Sequence, residues 1–375
     1  MRAGTGAWPG RRYRGVVRLP DEVTTPATVV DVDRLEANLA AMARRTADAG
    51  LALRPHAKTH KCPPIALRQL ALGAAGVAVA TVAEAEAMAG AGVDDIFIAY
   101  PVLATGTRTR RLAALAERVR LTVGVDSPAG AAQLARAVGG MPLTVLIEVD
   151  CGHHRTGVGA EQAAEVARAA RRAGLSVAGV FTFPGHGYRP GAIEAAALDE
   201  DRALDRAAAG LEGAGLEARV RSGGSTPTVA RTVSRAATEV RPGVYAMNDA
   251  QQLVLGTCTE TDVALVVVAS VVSVPAPDRV VLDAGSKVLG ADRPDWVPGF
   301  GVVAGVPGAV VGQLSEHHAV VTWPPDGPPR PAVGDRLAVI PNHVCSAVNL
   351  VDELVVVSRG IEVDRWPVAA RGANH

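Results

Sequence analysis

Leu51-Ala52-Leu53-Arg54-Pro55-His56-Ala57-Lys58-Thr59-His60-Lys61 is a short apolar run that passes straight into a cluster of lysines and histidines. Lysine is otherwise scarce: it occurs only at 58, 61 and 287, and arginine carries the rest of the positive charge. Arginine keeps its proton, whereas a lysine with a lowered pKa becomes a nucleophilic amine. If the protein forms an imine, the nitrogen comes from Lys58, Lys61 or Lys287. The competing reading of the same residues is a basic surface turn.

Outward from this stretch, short apolar runs alternate with Ala-rich amphipathic segments. Strands are expected at 51–56, 76–80, 95–99, 121–125, 143–149, 177–183, 218–221 and 238–241, with helical periodicity at 81–92, 129–138, 160–173 and 195–213. Upstream, 28–32 is strand-like, and Asp33 is placed to cap a helix carrying Leu35, Leu39 and Met42 on one face. Eight strands alternating with helices predict an α/β fold, a TIM (β/α)8 barrel. An open doubly wound sheet is the alternative, but no G-x-G-x-x-G follows a first strand.

Beyond about residue 255 the texture changes. Val-rich runs at 263–274, 279–282, 308–313, 319–323, 336–340 and 350–357 follow one another without a long helical pattern between them. These predict two domains, a barrel over 24–255 and an all-β domain over 256–375, to which the N-terminal arm 1–23 is expected to add a strand.

Composition limits the functions available. The 375 residues carry a formal net charge of zero, so nothing favours nucleic acid or an anionic membrane. The first twenty residues hold several arginines but no apolar stretch of a secretory signal, and the run 263–274 is too short to span a bilayer. Cys62, Cys151, Cys258 and Cys345 are widely spaced with no C-x-x-C, which suits a reduced, cytoplasmic protein.

In a barrel, chemistry sits at the C-terminal ends of the strands. Lys58 follows the first strand directly, and the neighbouring charge of Lys61 together with desolvation is expected to lower its pKa. After the seventh strand comes Ser222-Gly223-Gly224-Ser225-Thr226-Pro227-Thr228, whose glycines and hydroxyls suit an anion. After the eighth comes Arg241-Pro242-Gly243-Val244-Tyr245-Ala246-Met247-Asn248, with further donors. Strands 7 and 8 are a recurring phosphate site in barrels and lie next to strand 1. An amine beside an anion cradle is the geometry that pyridoxal 5′-phosphate requires.

With these segments in place, the chain resembles the fold-type III pyridoxal-phosphate enzymes, with their alanine-racemase-like barrel, and within them the D-serine dehydratase / D-threonine aldolase family. The matching segments include Thr25-Pro26-Ala27, Asp31-Val32-Asp33, Glu148-Val149-Asp150, Arg155-Thr156-Gly157, Asp283-Ala284-Gly285-Ser286-Lys287 and Pro341-Asn342-His343-Val344-Cys345, besides those quoted above. The resemblance implies that Lys58 carries the cofactor. It implies Arg155 beside the cofactor ring, although an ion pair with Asp150 is an alternative for that arginine. It further implies Tyr188 near the pyridine nitrogen, His186 as an acid or base near the substrate hydroxyl, and Gly223, Gly224, Ser225, Thr226, Tyr245 and Asn248 around the phosphate. His186 in its glycine turn is equally readable as a surface residue.

His343-x-Cys345 is the second feature on which function turns. Alternation in an extended segment puts residues i and i+2 on one side, so that imidazole and thiolate grip one ion. Without the resemblance, a buried cysteine beside a packed histidine is the simpler reading. Thiolate favours zinc over manganese or magnesium, and the His-x-Cys form resembles the dehydratases, a carboxylate in its place the aldolases. The expected activity is a pyridoxal-phosphate- and metal-dependent lyase on D-3-hydroxy amino acids. A D-serine or D-threonine dehydratase giving a 2-oxo acid and ammonia leads. A D-threonine aldolase giving glycine and an aldehyde follows, then a metal-independent racemase of the same fold. A pyridoxal-phosphate carrier or a cofactor-free binding module stand outside enzymology. The resemblance also implies a homodimer in which one subunit's β domain covers the other's barrel. Cys151, His153 and His154 form a further ligand-rich run, read as a solvated turn or a second metal site, and His317 and His318 have the same status.

Overall fold

All eight barrel strands form: Ala52–Leu53, Val77–Val79, Asp95–Pro101, Arg120–Val125, Thr144–Glu148, Ser176–Phe181, Val220–Gly223 and Glu239–Val240. The structure is a computed structural model and describes residues 23–141, 143–231 and 234–375. Neighbouring barrel strands run parallel throughout the eight-stranded sheet. Its two end strands meet where His56 bridges Ala78 and the Ala78 N–H donates to the Pro55 carbonyl at 2.8 Å, closing the ring. Val77, Ala78 and Val79 are wholly buried. That is why these strands read as unbroken apolar runs: helices cover one face and the barrel interior the other.

Few large side chains fill the barrel. Phe97 and Phe181 meet edge to face at 5.0 Å, with Leu146 beside them. Gly124 leaves the space for this layer, since a Cβ there would lie 2.6 Å from Phe181 Cζ. The Arg241 guanidinium closes the layer from above, 5.5 and 5.4 Å from the two ring centroids.

The expected helices appear as Val82–Gly90, Pro128–Ala137, Ala163–Arg172 and Ile193–Gly213. Thr81 and Ser127 cap the first two by accepting the N–H groups of Glu84 and Gly130, as short hydroxyl side chains do. Helix Val32–Asp48 buries Leu35, Leu39 and Met42 as expected, but Asp31 caps it, not Asp33. The helix starts two residues earlier than expected, so Asp33 lies in its first turn and accepts from Ser358 and Arg359.

The second sheet has nine strands, and pairing of Leu265–Ala276 with Arg279–Leu282 closes six of them into an antiparallel ring. Each of the six expected β-domain runs overlaps a strand. Gly301–Val303 and Ile361–Pro367 are additional: the first is only three residues long, and the second is a mostly exposed edge strand with charged positions. One assignment changes. Ala27–Asp31, expected within the barrel domain 24–255, belongs to the second sheet, antiparallel to Leu265–Ala276 and parallel to Glu353–Ser358. Val29 and Val30 are both fully buried there, and a run apolar on both faces fits the middle of either sheet. The strand expected from the arm 1–23 lies almost wholly outside the described residues. Among those described, no helix is long and apolar enough to cross a membrane.

Candidate active site

Beyond the bridge at His56 the chain turns through a 3-10 segment, Ala57–Thr59, which aims Lys58 into a cavity of about 520 Å³ at the barrel mouth. Burial pulls the Lys58 amine below the usual lysine pKa; Arg155 and Arg241 push it the same way, against Cys345 and Glu84. Lys61 is not among the responsible charges, contrary to the expectation. It turns away into a buried cluster, 3.3 Å from Glu84 and donating to Asn349 and Asn374 at 2.7 and 2.9 Å. Lys287 is exposed in the β domain beside Glu316. Lys58 alone of the three lysines faces the cavity.

Phe183 organises the mouth. Lys58 Nζ lies 5.6 Å from its ring centroid and the Arg155 guanidinium 5.2 Å. The His153 ring meets it edge-on at 5.4 Å, and Tyr188 lies 6.3 Å away. Arg155 therefore stands by Lys58, lining a second lobe of about 320 Å³ that shares Lys58 and Phe183 with the main cavity. The alternative ion pair does not form: Asp150 engages His154 at 2.6 Å instead.

The anion cradle is partly as expected. Ser225 and Thr226 line the cavity, and Gly243 and Val244 approach from the next loop. A Cβ on Gly243 would lie 2.5 Å from Thr59 Oγ1, so the cradle loop packs directly on the lysine turn. Gly224 adopts φ +78°, and a Cβ would crowd Val240 at 2.8 Å. Its N–H, however, is given to the buried Glu200 carboxyl, whose pKa burial pushes up to about 7. The glycines thus shape the loop, while hydroxyls and neighbouring amides face the cavity. Tyr245 and Asn248, expected among the donors, point their side chains elsewhere: Gln69 donates to the Tyr245 hydroxyl at 3.1 Å, and Asn248 donates to the Asp262 carbonyl at 2.9 Å. Tyr188 lines the cavity together with Thr226, and burial pushes its hydroxyl pKa up.

His343 and Cys345 reach the same cavity from the β domain of the same chain. They do so by a different local geometry from the expected extended segment. His343, at φ −137° and ψ 104°, precedes the helix Val344–Val348, and Cys345 lies in its first turn. Both side chains nevertheless line the same cavity. Asp292 accepts from His343 Nδ1 at 2.7 Å and from the Ser346 hydroxyl at 2.5 Å. Burial opposes ionisation of Cys345, but His343, Thr59 and Lys58 hold its pKa below the usual thiol value. Cys345 Sγ contacts Thr59 Oγ1 at 3.4 Å, one residue from Lys58. Among the described residues no group of three or more candidate ligands forms a closed metal site. Imidazole and thiolate, with a carboxylate orienting the imidazole, fit an open site for a borderline-soft ion.

The two histidines of the barrel mouth exchange places relative to expectation. His186 does not line the cavity: it packs against Gly152, 3.5 Å from Asp199. His153 lines it instead, with its ring against Gly185, where any side chain would collide. Burial and the nearby Arg155 lower its pKa, which favours the neutral imidazole. The ligand-rich run is dispersed: His153 faces the cavity, His154 is exposed on Asp150, and Cys151 is buried with its thiol pushed up to about 12. His317 and His318 are exposed in the turn before Ala319–Thr322.

An amine at one end of a cavity, hydroxyls and converging turns at the other, and arginines between them fit pyridoxal 5′-phosphate. Residues 30–250 match the family described as alanine racemase, N-terminal domain, and residues 264–357 match the putative serine dehydratase domain. The chain belongs to the fold-type III pyridoxal-phosphate enzymes. It is 36% identical over 366 residues to D-threonine aldolase from Arthrobacter sp, covering 93% of each chain. It is 37% identical over 351 residues to D-threo-3-hydroxyaspartate dehydratase from Delftia sp. (strain HT23), covering 86% of this chain and 91% of that one. Among solved structures, the D-threonine aldolase of Filomicrobium marinum superposes with a TM-score of 0.83 at 32% identity, covering 96% and 99% of the two chains. Such relatives make this chain a pyridoxal-phosphate-dependent enzyme of the lyase kind.

Proposed function

We propose that this enzyme is a dehydratase of D-3-hydroxy amino acids, D-serine or D-threonine in the first instance, giving a 2-oxo acid and ammonia. The carrying observation is the contact between the two halves of the site: Cys345 meets Thr59, so the sulfur and the His343 imidazole stand beside the Lys58 turn. Lys58, Arg155, Ser225, Thr226 and Tyr188 would hold the cofactor, and His343 and Cys345 a divalent ion, zinc by donor softness. Bound pyridoxal phosphate supplies an electron sink, and the ion supplies Lewis acidity.

The chain's own residues then divide the work. Lys58 Nζ, with a lowered pKa, accepts the proton from Cα of the substrate. The β-hydroxyl leaves on the side of the cavity occupied by His343 and Cys345. Phe183 and the cradle loop wall that region, and the lower dielectric away from bulk water strengthens each charge interaction inside it.

Aldol cleavage to glycine and an aldehyde is the second reading. Two observations favour it: the identity to D-threonine aldolase across 93% of the chain, and His153, a neutral imidazole in the cavity suited to take the β-hydroxyl proton. The deciding experiment incubates the enzyme with D-serine, D-threonine and threo-3-hydroxy-D-aspartate, with and without EDTA. A 2-oxo acid with ammonia, lost on chelation, supports the dehydratase; glycine with an aldehyde supports the aldolase. Activity untouched by EDTA would point to a racemase, and turnover of L-isomers alone would break the stereochemical reading. A homodimer is proposed from the family resemblance, and a monomeric mass by light scattering would overturn it. Four unpaired cysteines suit a reducing compartment.

A further inference from the structure

Asp249 ends the segment that supplies Gly243 and Val244 to the cradle, and it is 1% exposed. One carboxylate oxygen, Oδ1, accepts the N–H of Gln252 at 3.0 Å and caps the barrel-side helix Ala250–Leu255. The other, Oδ2, accepts the N–H of Val344 at 3.1 Å, across 95 residues of sequence. Val344 is the residue between His343 and Cys345, at the first position of its helix, where an N–H has no partner within the helix. A second stitch lies alongside, from the Gln251 N–H to the Asn342 carbonyl at 3.3 Å.

We infer that Asp249 is a positioning residue, one carboxylate capping two helices so that the His343–Cys345 pair is held in register with the cofactor cradle. This inference rests on the reading that the pair binds the metal. The geometry carries it: the contact runs to the backbone between the two ligands, so losing it releases both side chains together. Asp292 grips the pair from the solvent side through His343 Nδ1 and Ser346; Asp249 grips it from the barrel side. The two carboxylates leave the Val344–Val348 helix little freedom to rotate.

Asp249→Asn tests it, because asparagine remains a good helix cap but offers only one acceptor oxygen. A second variant, Val344→Pro, removes the donor instead. Proline suits the first helical position, and His343 already has the extended backbone that precedes proline. Zinc affinity of the cofactor-loaded protein is measured by competition with a chelating dye, alongside the visible absorbance of the Lys58-linked cofactor and the melting temperature. In both variants we expect zinc affinity to fall by about tenfold or more, as when other outer partners of metal ligands are removed, while absorbance and melting change little. Zinc bound as tightly as in the wild type overturns the inference. So does a loss of zinc that merely accompanies loss of absorbance and cooperative melting, which marks a general structural role. His343→Ala separates the two levels: if it leaves wild-type zinc binding intact, the metal reading fails first and takes the inference with it.

Discussion

Lys58 Nζ and the Arg155 guanidinium both lie over the ring of Phe183, at 5.6 and 5.2 Å from its centroid. One aromatic ring thus stands close to both basic groups at the cavity mouth. Phe183→Leu keeps apolar bulk but removes the ring's electrostatic attraction, worth about 1 kcal/mol. We expect roughly a fivefold fall in kcat/KM with little change in melting temperature. Unchanged kinetics would show that the ring serves only as a wall.

Lys58→Arg keeps the charge and abolishes the nucleophile. Borohydride reduction of the wild-type enzyme in the presence of pyridoxal phosphate should attach the cofactor covalently to Lys58, whereas the variant should remain unlabelled. Turnover should drop by about 10³-fold or more, within the range for removal of a proton-transferring side chain. Labelling at Lys61 in the wild type would contradict the buried, ion-paired position of that residue.

Cys345→Asp replaces a soft ligand with a hard one at the same place. Metal preference should move from zinc toward manganese or magnesium, read by metal analysis after dialysis and by which ion restores activity to the chelated enzyme. An unaltered zinc preference would mean that Cys345 does not touch the ion.

Glu200 gives a pH dependence with a definite sign. Burial raises its pKa from 4.5 to about 7, so between those values the folded protein keeps a proton that the unfolded chain releases. Its contribution to stability is therefore complete below about pH 4.5 and is lost as pH rises through 7, by roughly 3 kcal/mol at 1.36 kcal/mol per unit. Glu200→Gln still accepts the Gly224 N–H and should flatten that part of the denaturation-versus-pH curve. A curve of identical slope in the variant would remove Glu200 from the account.

Glu239 joins two charges at the barrel's eighth strand: Arg54 donates to it at 2.7 Å and the Ser222 hydroxyl at 2.5 Å, with Arg241 donating in turn to Ser222. Glu239→Ala takes one carboxylate from the largely covered Arg54 and removes a nearby countercharge from buried Arg241, a change that costs about 3 kcal/mol. Urea denaturation should show a lowered midpoint, together with weaker cofactor retention because Ser222 opens the cradle loop. A midpoint within error of the wild type would count against the network.

Much of this was legible in the sequence because it is periodic or rare. Strands buried on both faces leave unbroken apolar runs, and a chain with only three lysines narrows the imine nitrogen at once. Residues in irregular loops were less legible. Nothing in Cys151-Gly152-His153-His154 or Gly185-His186 tells which imidazole faces the cavity, because no repeat fixes the direction of side chains in a turn. His343 and Cys345 were identified for a geometry that does not occur, an extended strand instead of a helix start. Their carboxylate partners stayed hidden because Asp292 and Asp249 lie 51 and 95 residues from them or the residue between. Ala27–Asp31 was legible as a strand but its sheet was not, because an apolar run carries no address.

That last strand has a consequence for the whole molecule. Because Ala27–Asp31 lies between Leu265–Ala276 and Glu353–Ser358, the first part of the chain is a structural piece of the last. A cut between barrel and β domain would leave an open slot in the second sheet, lined on both sides by unpaired amides and carbonyls. The protein cannot be divided like beads on a string: from Ala27–Asp31 in the second sheet the polypeptide winds the barrel and returns to close around that same strand. The lysine on one unit and the thiolate on the other are thereby delivered by a single loop of chain, and the two units should melt in one step.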